Sequence, residues 1–193
     1  MDAHFDGYYD YHPPRHPRIP VTLIGFFGAG HEQIGSTMAA LTGLPYTELD
    51  RSVEHATGCT VGQLVIEGGE DRYREAEADR LARVLRERPA GIVALGEGAL
   101  LNAGNRALVS DESVLVYVHR EADDLAARLR SQQERLPGAG FPWFPAAGFC
   151  DNDFAALSDT RASCYEEATL RVNATGRSAD HVADEILGLL ELR

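Results

Sequence analysis

The loop that decides the fold of this chain is Gly25-Phe26-Phe27-Gly28-Ala29-Gly30-His31-Glu32, which follows the short apolar run Val21–Ile24. A strand that leads through a glycine-rich turn into a helix is typical of loops that hold nucleotide phosphates, because the loop amides and the helix N-terminus face the anion. In the full motif, a lysine and then a Ser or Thr follow the last glycine. Here His31, Glu32 and Gln33 follow Gly30 instead.

These three replacements predict a weakened nucleotide site. Histidine is mostly uncharged near neutral pH, and Glu32 adds a negative charge where a polyphosphate would bind. Two like unit charges about 4 Å apart repel by ~4 kcal/mol at an effective dielectric constant of about 20. We therefore expect that ATP and Mg²⁺ binding is lost or weak and that no cofactor is used. Two roles stay open for Glu32: its carboxylate fills the anion cradle, or it is an acid favoured by the helix dipole.

Beyond the loop, short apolar runs alternate with amphipathic stretches. Strands are predicted at Val21–Ile24, Pro45–Leu49, Ile92–Leu95, Val114–Val118 and Leu170–Val172. Helices are predicted between Gly30 and Gly43, over Val61–Glu67, Tyr73–Arg86 and Ala122–Gln133, through Tyr165, and over Ala179–Leu190. This alternation predicts an α/β fold with a parallel sheet covered on both faces. The run Val114–Val118 is the most apolar, which favours a central position.

Composition narrows the functional classes. Residues 1–19 are rich in Tyr, His and Pro and are predicted to form a flexible arm, and residues 20–193 a single domain. The net charge of −12 argues against general binding to nucleic acid or to an anionic membrane. No stretch approaches the roughly 18 apolar residues of a membrane span. Three cysteines without CxxC spacing indicate reduced thiols and a cytoplasmic location.

Four further segments carry a family resemblance. They are Gly43-Leu-Pro-Tyr-Thr-Glu48-Leu-Asp50, Glu-Gly-Gly-Glu-Asp-Arg-Tyr73-Arg74-Glu-Ala-Glu77, Ala-Leu-Gly96-Glu97-Gly98-Ala-Leu and Arg161-Ala-Ser-Cys-Tyr165. In this order and spacing, and together with the loop, they resemble shikimate kinase over about residues 21–190. The resemblance implies a P-loop kinase-like fold with a central five-stranded parallel sheet flanked by helices, a helical substrate-binding region and a mobile lid.

The resemblance also implies roles on the acceptor side. Asp50 matches the family's ligand of the shikimate hydroxyls, and Arg74 and Arg161 match its two ligands of the shikimate carboxylate. Gly96 and Gly98 match two glycines of a triple-glycine loop whose middle position is Glu97 here. This set predicts a pocket for a small carboxylate. Two alternatives stay open: Arg74 pairs with Glu70 or Glu77 along a helix, and Glu97 neutralises both arginines from within.

The departures from the family concentrate on the nucleotide side. Glu48 replaces an Asp that helps to hold Mg²⁺ and is only a weak metal candidate. The family's lid sequence R-P-L-L corresponds to Phe141-Pro142-Trp143-Phe144, which contains no arginine, and the adenine-side loop is altered over Asn173–Ser178. Our main hypothesis is therefore a pseudoenzyme, with regulatory or scaffolding action through a protein partner, a homodimer or a small ligand. Phe141, Trp143 and Phe144 are its candidate interface residues.

Two further hypotheses stay open, although the balance leans away from an enzyme. In one, a non-kinase enzyme or binder acts on a shikimate-like hydroxylated carboxylate, with His31, Glu32 and Glu97 as acid–base candidates that could also bind a metal together with Glu48. In the other, the chain is an active shikimate kinase with an atypical loop. That hypothesis needs a substitute for the missing lysine, and its candidates are Arg128, Arg130 and Arg135.

Overall fold

A computed structural model of the chain describes residues 19–87, 90–135 and 160–192, with the backbone alone for residues 132–135. The proposed arm, apart from its last residue, lies outside the described residues, as do the interface candidates Phe141, Trp143 and Phe144. The arm, the interface and a dimer or protein partner therefore remain predictions.

Five parallel strands form one sheet in the order β2-β3-β1-β4-β5. The strands are β1 (Val21–Ile24), β2 (Tyr46–Glu48), β3 (Ile92–Ala94), β4 (Val114–His119) and β5 (Leu170–Asn173). The sheet confirms the predicted fold class and all five predicted strands. The prediction that Val114–Val118 forms the central strand is wrong, because β1 is central and β4 lies between β1 and β5. Both strands are interior, so an apolar sequence alone could not rank them.

The helices that flank the sheet include two that the sequence pattern missed. They are α1 (His31–Thr42), α2 (Leu49–Thr57), α3 (Val61–Glu87), α4 (Ala103–Glu112), α5 (Ala122–Arg135), α6 (residues 160–165 of the described part) and α7 (Ala179–Leu189). The missed helices are α2 and α4. The two helices predicted between residues 61 and 86 are parts of α3, which breaks at Gly69, where φ is 76° and ψ is 174°.

Parallel strands place their carboxyl ends at one edge of the sheet, and a parallel α/β sheet binds ligands at that edge. The phosphate loop follows β1 there, Asp50 follows β2, and Glu97 follows β3. Arg120 follows β4 at the same edge. Within the described ranges, no helix combines the length and apolar character needed to span a membrane.

Candidate active site

The phosphate loop has the backbone shape that its glycines allow. Gly28 and Gly30 have φ values of 79° and 78°, in the left-handed region that favours glycine. The amide of Ala29 donates to the carbonyl of Phe26 at 2.8 Å and closes the turn. A Cβ on Gly25 would lie only 2.6 Å from the Cβ of Ala29. The glycine spacing therefore builds a compact turn that leads directly into α1.

The residues after the last glycine point in different directions. His31 is buried, and its Nε2 lies 2.8 Å from the carbonyl oxygen of Leu95 at the end of β3. The Glu32 side chain is half exposed, and its Oε1 lies 3.5 Å from His31 Nε2. Gln33 is exposed. Because Glu32 lies in the first turn of α1 and reaches solvent, the structure favours its role as an acid at the helix N-terminus over a plug in the cradle.

Two arginines from the β4–α5 region hold the carbonyls of the phosphate loop. Arg120 Nε donates to Ala29 O at 2.7 Å, and Arg128 Nε donates to Gly28 O at 2.8 Å. A Cβ on Gly30 would lie 3.1 Å from Arg128 Nη2. Burial, and next the neighbouring charge of Arg120, lower the pKa of Arg128 from its usual value, yet a guanidinium stays protonated at neutral pH. Two positive charges therefore lie against a loop that has lost its lysine.

Arg120 also connects the loop to the turn after β5. Its Nη1 donates to Asp124 Oδ2 at 2.7 Å, and its Nη2 donates to Arg177 O at 3.3 Å. Asp124 Oδ2 also accepts from the amide of Gly176 at 3.3 Å. The altered segment Asn173–Ser178 is thus fastened to the phosphate loop through one buried arginine. Sequence analysis missed Arg120, although an arginine directly after an apolar strand was a usable indication.

Of the three arginines predicted to replace the lysine, the structure places Arg128 at the loop. The side chain of Arg135 lies outside the described part of the chain. Arg130, which follows Arg128 by two positions on α5, is exposed.

On the acceptor side, a network of buried carboxyls surrounds Tyr73. Its hydroxyl lies 2.8 Å from Asp50 Oδ1 and 2.9 Å from Glu77 Oε1. Burial raises the pKa of both carboxyl groups above their usual values. One hydroxyl carries a single proton and so can donate to only one carboxylate at a time.

Two arginines approach the carboxyl group of Glu97. Arg74 pairs with Glu70 at 3.1 Å and with Glu77 at 2.8 Å, so the predicted helix ion pairs are present. Its Nη2 nevertheless lies 3.9 Å from Glu97 Oε1, and Arg161 Nη2 lies 3.9 Å from the same oxygen. Glu97 is 8% exposed. Burial raises its pKa to about 7, although Arg74 and Arg161 act in the opposite direction.

The glycines on either side of Glu97 permit this close approach. A Cβ on Gly96 would lie 2.8 Å from Glu77 Oε1 and 2.9 Å from Asp50 Oδ1. A Cβ on Gly98 would lie 2.2 Å from Arg74 Nη2. Tyr165 on α6 donates a hydrogen bond to the carbonyl of Glu97 and holds the loop from the other side. The structure thus brings together all five predicted acceptor-side residues, namely Asp50, Arg74, Gly96, Gly98 and Arg161.

The four residues suggested as a metal cluster do not assemble into one. Glu97 lies between the arginines, and Glu48 pairs with Arg51 at 3.0 Å. Among the described residues, no group of three or more His, Cys, Asp or Glu side chains is arranged to hold a metal by itself. Glu48 and Glu32 are nevertheless near enough for Glu32 to raise the pKa of Glu48, after the larger effect of burial. Mg²⁺ is commonly bound by one or two carboxylates together with substrate phosphates, and this pair suits that arrangement.

Several known proteins are similar to this chain in sequence or in structure. A shikimate kinase of Salinibacter ruber is 36% identical over 174 residues, with 87% of this chain and 80% of that protein covered. A shikimate kinase of Caulobacter vibrioides strain NA1000 / CB15N is 34% identical over 167 residues, with 86% and 79% covered. The structure of shikimate kinase from Acinetobacter baumannii in complex with shikimate superposes with a TM-score of 0.76 at 25% identity, covering 89% of this chain and 92% of that chain.

These relatives correct the functional predictions. They are named as kinases, so the hypothesis of a regulatory or scaffolding pseudoenzyme is wrong. The expectation of no cofactor, with ATP and Mg²⁺ binding lost, is wrong for the same reason. The main hypothesis relied on the charges of residues 31–33, whereas Arg120 and the predicted substitute Arg128 contact the loop from another part of the chain. The alternative of an active kinase with a substitute cation fits the relatives better than the two other hypotheses.

The match also extends over most of the chain. A family model described as shikimate kinase matches residues 27–191, a span from within the phosphate loop to beyond the end of α7. Together with the identities above 30%, this span shows that the chain belongs to the shikimate kinase family.

Proposed function

We propose that this protein is an ATP-dependent kinase that transfers the γ-phosphoryl group of ATP to a hydroxyl group of a small hydroxylated ring compound. Shikimate, for which the relatives are named, is the first acceptor to test. The observation that carries the proposal is the pair of hydrogen bonds from Arg120 and Arg128 to the carbonyls of the phosphate loop.

The two arginines offset in part the loss of the lysine and the repulsion between Glu32 and the phosphates of ATP. One unit charge about 4 Å from a phosphate contributes ~4 kcal/mol at an effective dielectric constant of about 20, as much as the repulsion from Glu32. Asp124 balances the charge of Arg120, so the positive charge of Arg128 is the one that offsets Glu32. Both arginines also hold the carbonyls of Ala29 and Gly28, which leaves the role of anion ligand to the loop amides and the N-terminus of α1.

Glu32 and Glu48 are suited to bind Mg²⁺. A carboxylate repels a polyphosphate without a metal ion, but it attracts the cation that accompanies the polyphosphate. Mg²⁺ prefers oxygen ligands and keeps several waters, so one or two carboxylates together with the phosphates suffice. When bound, the ion neutralises the charge that develops on the transferred group. Glu32 and Glu48 are the residues that would hold it here.

Asp50 is the residue suited to handle the acceptor hydroxyl. It lies in the first turn of α2 with its Oδ1 against Gly96 and within hydrogen-bond distance of Tyr73. A carboxylate in this position can accept a proton from the attacking hydroxyl, and burial raises its pKa and thus its basicity. Positioning of this kind, combined with charge neutralisation, accounts for most of the catalysis of phosphoryl transfer.

Two measurements test the proposed function. Calorimetric titration with ATP–Mg²⁺ should show binding, and a coupled assay should show ADP release that depends on millimolar shikimate. Arg83→Ala is a matched control, since Arg83 is an exposed arginine of α3 that pairs with Asp79. It should behave like the unmodified protein in both measurements. No ATP–Mg²⁺ binding, together with no acceptor-dependent ADP release, would contradict the proposal.

A cytoplasmic location stays a prediction.

A further inference from the structure

Glu97 stands where the acceptor pocket would otherwise present two arginines to a ligand. Arg74 comes from α3 and Arg161 from α6, and each places one guanidinium nitrogen 3.9 Å from the same carboxylate oxygen. Converging arginines of this kind suit a carboxylate. Here that carboxylate belongs to the protein itself.

The contacts at this point are ionic but are not hydrogen bonds. A separation of 3.9 Å exceeds the usual limit of roughly 3.2 Å for an N–H···O bond. Within the described part of the chain, Glu97 Oε1 and Arg161 Nε are both buried and lack a hydrogen-bond partner. Buried polar atoms usually have partners. At least one acceptor and one donor are thus available in the same pocket.

A hydroxyl group matches this pair of atoms. It donates one hydrogen bond and accepts others, so it can donate to Glu97 Oε1 and accept from Arg161 Nε. An ionised carboxylate can only accept, and it would meet the like charge of Glu97. Its approach therefore requires that Glu97 be protonated or displaced.

We propose that Glu97 is a specificity-determining residue that makes the acceptor pocket favour a hydroxylated ring with a neutral, hydroxyl-bearing substituent over a ring carboxylate. The inference rests on the proposed function for the identity of the pocket. Shikimate is then a poor acceptor with a high KM. Its counterpart with the carboxylate reduced to a hydroxymethyl group is the better one.

The charge state of Glu97 offers an additional readout. Its pKa is raised to about 7, with burial as the largest cause. The titratable and charged groups around it are Asp50, Tyr73, Arg74, Glu77, Arg161 and Tyr165. Below pH 7 a larger fraction of Glu97 is neutral, so the KM for shikimate should fall as the pH is lowered, whereas the KM for the alcohol should change little.

The test compares shikimate and its hydroxymethyl counterpart in two ways. Calorimetric titration without nucleotide gives the two dissociation constants, and steady-state kinetics with ATP–Mg²⁺ gives KM and kcat for each compound. At pH 8, one unit above the pKa of Glu97, the unmodified protein should bind the alcohol about tenfold more tightly than shikimate. Glu97→Gly should reverse this order, mainly through KM. Glu97→Gln should lie between the two and serves if the glycine variant does not fold.

Glu70→Gln is the matched control. Glu70 pairs with the same arginine at 3.1 Å but is half exposed and lies outside the pocket, so its loss should leave the preference unchanged. A preference for shikimate in the unmodified protein would overturn the inference. An unchanged ratio in both Glu97 variants would do so too, as would binding of neither compound to any variant. Because binding is measured without ATP, absent turnover would count against the proposed function and still leave the preference measurable.

Discussion

The nucleotide side and the acceptor side of this protein depart from their expected chemistry in opposite ways. On the nucleotide side, the motif residues at positions 31–33 are replaced, but the structure restores positive charge through Arg120 and Arg128. On the acceptor side, Asp50, Arg74 and Arg161 are present, but Glu97 lies between the two arginines. A lost motif residue therefore does not imply a lost charge, and a present set of ligands does not imply an open pocket.

The largest effect should come from removal of Arg120. Arg120→Ala leaves Asp124 and the carbonyl of Ala29 without their buried donor. Because Arg120 is buried and donates to two backbone carbonyls as well as to Asp124, its loss should cost about 4 kcal/mol. Urea unfolding should show a decrease of that order in the free energy of unfolding, together with a higher KM for ATP. If the variant is as stable as the unmodified protein and binds ATP equally well, Arg120 has no role in ATP binding.

The next effect concerns the pH dependence of stability. The pKa of Glu97 is raised from 4.5 to about 7 in the folded protein, so ionisation of Glu97 is less favourable in the folded than in the unfolded chain. Its contribution to stability is present below pH 4.5 and is lost as the pH rises to about 7. Glu97→Gln avoids this loss.

Relative to the unmodified protein, Glu97→Gln should therefore gain about 3 kcal/mol of unfolding free energy above pH 7, since one pKa unit corresponds to about 1.4 kcal/mol. Urea unfolding at pH 4 and at pH 8 measures the difference. An equal effect of the substitution at both pH values would mean that the pKa of Glu97 is not raised in the folded protein.

Loss of Arg128 should act on ATP more than on stability. Its side chain is partly exposed and donates a hydrogen bond to Gly28 O. Arg128→Ala should raise the KM for ATP about tenfold, corresponding to ~1.4 kcal/mol, and leave the KM for the acceptor unchanged. Arg128→Lys should recover part of the loss, because it keeps the charge. If the KM for ATP and the KM for the acceptor change equally, Arg128 does not act on ATP binding alone.

The smallest effect is expected for a control substitution at Asn102, which lies away from both the nucleotide side and the acceptor side. Asn102 caps α4, and its side chain accepts from the amides of Gly104 and Asn105. Asn102→Ala should lower the free energy of unfolding by about 1 kcal/mol and leave both KM values unchanged. If this variant alters either KM, the effects at Arg120 and Glu97 cannot be ascribed to local chemistry.

Most of the fold could be predicted from local pattern. Alternating apolar runs predicted five strands and the parallel sheet, and these are present because each run is short and bounded by glycine, proline or polar residues. Helix α4 was missed although Asn102 is a good N-cap, because the ten residues that follow it carry little hydrophobic periodicity. The order of the strands could not be predicted from the sequence. Both β1 and β4 are apolar, and only the pairing of strands shows which one is central.

For the site, the sequence by itself determined which residues are present: the glycines of the loop, Asp50, the two acceptor-side arginines and the intrusive Glu97. It also determined the local turn, because φ near 80° at Gly28 and Gly30 is a property of glycine. Only the tertiary structure decided the charge balance. Arg120 lies 91 positions from Ala29, and Glu97 meets Arg161 across the pocket. Electrostatic energy depends on distances in space, so neither balance could be counted along the chain.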